Sequence, residues 1–91
     1  MRSYALSLAD LQGLAPDTRP GARLELWVTW EPPVTRRARI DLLMDDAVLD
    51  KIVPALSPER PDTALLLVKA SRIADLLWAD RYGALSATVV P

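Results

Sequence analysis

The sequence predicts a small α/β (α+β) fold, one domain over residues 1–91, with a mixed sheet of about five strands, two main helices and a C-terminal β-α-β unit. Three observations predict it. Thr63-Ala64-Leu65-Leu66-Leu67-Val68-Lys69-Ala70 is a nearly continuous apolar run, as in a strand covered on both faces. A helical pattern then runs from Ser71 to about Tyr82 and stops at Gly83. Residues 85–90 alternate apolar with small polar side chains, which reads as a second strand. A connection of this length makes a right-handed crossover and sets the two strands parallel.

Taken in order, residues 3–8 set Tyr4, Leu6 and Leu8 between small residues, a first strand. Ser7, with Asp10 three residues on, caps a short helical turn through Leu14 that Gly13 limits. Pro16, Asp17, Pro20 and Gly21 make residues 14–22 a loop. Residues 23–30 give the clearest strand, with Leu24, Leu26, Val28 and Trp30 on one face and Arg23, Glu25, Trp27 and Thr29 on the other. Glu31-Pro32-Pro33 must turn, because proline has no N–H for a ladder. Residues 34–44 alternate again, with Ala38, Ile40, Leu42 and Met44 on the apolar face.

These two runs form a hairpin whose register follows from matching faces and charges. Trp30 is expected opposite Val34, Trp27 opposite Arg37, Glu25 opposite Arg39 and Arg23 opposite Asp41. Asp45 or Asp46 then caps a helix with the stripe Val48, Leu49, Ile52, Val53 and Leu56, which Pro54 ends or kinks. A proline-stiffened loop, residues 57–62, leads to the central strand. In its first part the element order resembles the ferredoxin-like arrangement, with the last helix and strand extra.

Composition narrows the chemistry. The chain has no cysteine and no histidine, so it lacks disulfides, thiolate metal sites and the commonest general base. A formal net charge of −1 supplies no field for bulk attraction to nucleic acid. No apolar run reaches membrane-spanning length and Asp10 interrupts the N-terminal one, so the expected compartment is the cytoplasm. Arginine outnumbers lysine nine to two, a bias that points to a GC-rich bacterial or phage source.

Three function classes are left. On the last helix Ile73, Leu76 and Leu77 form the sector expected to pack on the sheet. Ala74, Trp78 and Tyr82 form a second sector, either packed under the loop 14–22 or used by a partner. With Trp27, on the hairpin's polar face, they compose the expected partner interface of a non-catalytic protein-interaction or assembly module, a homodimer or a subunit of a larger complex. No catalytic residue, cofactor or metal is expected. The first alternative is a small nucleic-acid-binding protein using Arg36, Arg37 and Arg39 beside Trp27. Against it, the same arginines are explained by the hairpin ladder, with Arg37 over Trp27. The second alternative is a carboxylate-dependent metal-binding or enzymatic subunit built on Asp41, Asp45, Asp46 and Asp50, whose spacing matches no calcium loop. Ser71 lacks the glycines of a nucleophile elbow and is expected as a helix cap.

Overall fold

The computed structural model describes all of residues 1–91. Strands take up 47% of the chain and there is a single α-helix. The strands are β1 (Arg2–Ser7), β2 (Leu11–Gln12), β3 (Arg23–Trp30), β4 (Arg39–Val53), β5 (Thr63–Val68) and β6 (Ala84–Val89). The helix α1 (Ile73–Tyr82) follows a 3-10 turn at Ala70–Arg72 and lies between β5 and β6; a second 3-10 turn, Leu8–Asp10, joins β1 to β2. One sheet holds all six strands in the order β1-β5-β4-β3-β6-β2, antiparallel throughout except for β2 against β6.

The sheet must curl. Laid flat, the five steps from β1 to β2 would separate its edges by about 24 Å at ~4.8 Å a step. Yet the chain passes from Ser7 to Leu11 in four residues, which span at most about 14 Å. Ser7 Oγ accepts from Ala9 N–H at 3.2 Å and starts the turn, as its spacing to Asp10 suggested. Leu8 N–H donates to the Asp62 carbonyl at 2.9 Å, and Leu11 then joins β6 opposite Leu85. Inside the curl lie the 16 buried residues, all apolar and in one cluster, so no buried polar side chain needs a partner.

Four expectations about the fold are corrected. Residues 45–53 are the second half of β4, not a helix, so the two main helices become one; the helical turn expected through Leu14 stops at Asp10, and Leu11–Gln12 form β2, the sixth strand. Three extra residues on β4 explain the misreading: Leu43, one of Asp45 and Asp46, and Asp50 each lack an opposite number in the neighbouring strand. The side chains that turn inward are therefore Met44, Ala47, Leu49 and Ile52, a spacing close enough to helical to imitate it. The β-branched Val48, Ile52 and Val53 favour the extended form.

Second, the hairpin register differs. Trp30 faces Arg39, Val28 faces Asp41 and Trp27 faces Leu42, with residues 31–38 as the loop. The bulge at Leu43 turns Ile40 and Leu42 outward, so the assumed apolar face of β4 survives only at Met44. Third, β5 and β6 are neither neighbours nor parallel. The antiparallel strands β4 and β3 lie between them, so the two run in opposite directions, and no β-α-β unit forms. Most of the interior is strand side chains, with Leu14 of the loop and Leu76 and Ala79 of α1 joining the same cluster, and α1 lies beside β3 and β6 where Gly83 lets it approach. Fourth, Ser71 caps nothing: it is exposed within the 3-10 turn, and the N-cap of α1 is Arg72, which makes no side-chain capping bond. The likeness to a ferredoxin-like order ends with these changes. No helix is long and apolar enough to cross a membrane.

Candidate functional site

Helix α1 divides into two faces. Leu76 and Ala79 are buried and Ile73 and Asp80 half-buried against the sheet, while Leu77 (53%), Trp78 (57%) and Tyr82 (42%) stand in solvent. The expected packing sector thus loses Leu77, and no loop covers Trp78. The Trp78 and Tyr82 rings lie 4.4 Å apart at 45°, and the Arg81 guanidinium sits 5.5 Å from the Tyr82 ring. Ala74, one turn before Trp78, is also exposed. Gly83 ends the helix against β3, where a Cβ would meet Val28 Cγ2 at 2.5 Å.

Between α1, the ends of β3 and β4, and the loop 31–38 lies a cleft of about 530 Å³. Its apolar lining includes Val28, Trp30, Val34, Leu43 and Trp78. Arg39, Asp41 and Arg72 supply the charge. Arg39 Nε is 2.9 Å from Asp41 Oδ2, and Arg72 Nη1 is 3.1 Å from Asp75 Oδ2. Arg72 Nη2 also donates to the carbonyl of Leu43, which the bulge leaves outside the regular ladder. The sequence signals the Trp78 wall through helical periodicity. It does not signal Trp30, Val34, Leu43 and Arg72, because a bulge and a long loop bring them there.

The other candidates are dispersed. Trp27 lies outside the cleft on the outer face of β3, half-buried, its Nε1–H donating to Thr88 Oγ1 at 3.3 Å. Arg37 is in the loop rather than over Trp27, exposed like Arg36, and its carbonyl accepts from Thr35 Oγ1 at 2.6 Å. Of the acids, Asp41 is paired with Arg39, and Asp46 with Lys69 at 3.0 Å. Lys69 holds the Asp46 carboxyl below the usual range. Asp45 offers its backbone carbonyl to Arg23 Nε at 3.0 Å, and Asp50 is exposed. No three acids gather into a group able to hold a metal ion.

A smaller hollow of about 300 Å³, lined by residues including Asp10, Gln12, Asp80 and Leu85, marks the closure of the curl. Nearby, the Tyr4 hydroxyl donates to Asp80 Oδ2 at 3.0 Å. Burial first, then this bond and the carboxylate charge, push the phenol from 10.0 up to about 12. The folded chain thus holds this proton more tightly than the unfolded one. Its contribution to stability is complete below pH 10 and is lost as the pH rises through about 12. Melting followed by circular dichroism should show a fall over that interval that Tyr4→Phe makes shallower. An identical pH profile for the variant would contradict the assignment.

No protein-family model, curated protein or solved structure matches the chain.

Proposed function

We propose that this chain is a non-catalytic assembly module that associates through the outer face of α1 and the cleft beside it. The observation that carries the reading is the exposure of Trp78 (57%) next to Leu77, Tyr82 and an apolar cleft. Aromatic side chains with arginines at the margin are the composition that dominates binding energy at protein interfaces. The covalent chemistry open to the chain is narrow, since it has neither histidine nor cysteine, and the one carboxylate lining the cleft is paired with Arg39.

Light scattering on a sizing column tests this. Wild type is expected to form an assembled species that Trp78→Ala converts to a folded monomer. A side chain at the centre of such a contact is worth about 2 kcal/mol or more, roughly a 30-fold weakening. A wild type that stays monomeric at its highest soluble concentration, or a mass that Trp78→Ala leaves unchanged, would count against the reading.

A further inference from the structure

We propose that copies of this chain join head to tail, the loop of residues 54–62 of one copy seating Leu56 in the cleft beside α1 of the next. The inference rests on the association just proposed and names the surface of the second copy that takes part.

Leu56 is fully exposed (105%), whereas the next most exposed large apolar residues are Met1 at 68% and Ile40 at 67%. A flexible loop would fold such a side chain against its neighbours. This one is held out. Pro54, Pro58 and Pro61 restrict the backbone on either side. Ala55 N–H donates to Asp62 Oδ1 at 3.0 Å, Arg60 N–H to the Ser57 carbonyl at 3.1 Å, and Glu59 N–H to Ser57 Oγ at 3.3 Å. The loop is thus an ordered projection, and docking it costs less conformational entropy than docking a flexible segment.

The cleft fits what the loop presents. Its volume of about 530 Å³ accommodates a leucine with flanking prolines, and the indoles of Trp30 and Trp78 offer the flat apolar surfaces on which proline-rich segments dock. Charge agrees as well. The cleft lining carries Arg39 and Arg72 against the single acid Asp41, a net positive charge, while the loop carries Glu59 and Asp62 against Arg60, a net negative one. Projection and cleft lie at opposite ends of β4 (Arg39–Val53), so one copy does not fill its own cleft. A second copy does. Because different surfaces meet, the contact is heterologous, and repeats of it form a ring if the rotation closes and a filament if it does not.

Complementation tests this by sedimentation velocity over a dilution series. Leu56→Asp removes the projection and keeps the cleft; Trp78→Ala removes the cleft wall and keeps the projection. Each variant alone is expected to be monomeric, with wild type larger than two chains. An equimolar mixture of the two variants is expected to form a species of two chains and nothing larger. Thermal melts establish that each variant is folded, and Val34→Asp, on the loop side of the cleft, replaces Trp78→Ala if the latter is not. Assembly lost in Trp78→Ala but kept in Leu56→Asp would overturn the head-to-tail contact while leaving the cleft as an interface. A mixture that stays monomeric would overturn it too, and a monomeric wild type would overturn both readings.

Discussion

Gly13→Ala should destabilise the fold by about 3 kcal/mol, and Gly21→Ala by only about 1 kcal/mol, although both glycines have the same φ of +88°. A side chain at either position meets the strain of the left-handed region, about 1–2 kcal/mol. Only at Gly13 does it also meet the chain. A Cβ there would lie 2.6 Å from the Ala87 carbonyl oxygen, whereas nothing lies within 4 Å of one at Gly21. Ala87 is held in β6 opposite Leu26 of β3, so that oxygen retreats only by disturbing the centre of the sheet. Overpacking of this kind adds about 1–3 kcal/mol. For a domain of this size the Gly13 variant should melt lower by roughly 15 °C. Urea and thermal melts of the two variants measure the difference directly. Equal losses would mean that backbone conformation alone, not the approach of β2 to β6, requires the glycine.

Leu66→Ala should cost about 3–4 kcal/mol and its neighbour Leu65→Ala less than about 1 kcal/mol. Leu66 is wholly buried between Tyr4 of β1 and Leu49 of β4, and truncation there leaves a cavity. Leu65 is only half-buried on the outside of the curl, opposite Ala5 and Lys51. Chemical denaturation of both variants separates two accounts of β5. Unequal losses follow from one inner and one outer face. Similar, large losses would instead mean that both faces are covered, as the unbroken apolar run suggested.

That pair of leucines shows where local reading stops. Alternation identified β3 correctly, residue by residue, because all of its inward side chains keep period two from Leu24 to Val28. Alternation failed on β4 because each bulge shifts the phase by one residue: the one at Leu43 breaks the run begun at Ile40, and the two beyond Met44 produce a spacing of three, two and three. Charge matching then failed for the hairpin: it assumed an unbroken phase, and Arg39 pairs with Asp41 on its own strand instead of with Glu25. At the candidate site, the helical projection set Trp78 and Tyr82 apart from the packing sector but left open whether the loop 14–22 covers them; only the structure shows them exposed. Trp30 was assigned to the strand face that packs inward, and only the long loop 31–38 leaves it at a cleft.

By itself the sequence determined what depends on neighbours along the chain: strands at β1, β3, β5 and β6, the helix stopped by Gly83, the Ser7 turn, and the lack of histidine and thiol chemistry. Tertiary structure alone decided the strand order, the direction of β6 relative to β5, the extended form of residues 45–53 and the walls of the cleft. The physical reason is the range of the interactions. Propensity, capping and periodicity act within a few residues. A ladder phase that bulges reset, and a sheet edge closed by a three-residue turn, are set by partners distant in sequence, whose pairing energy outweighs the local preference of any one segment.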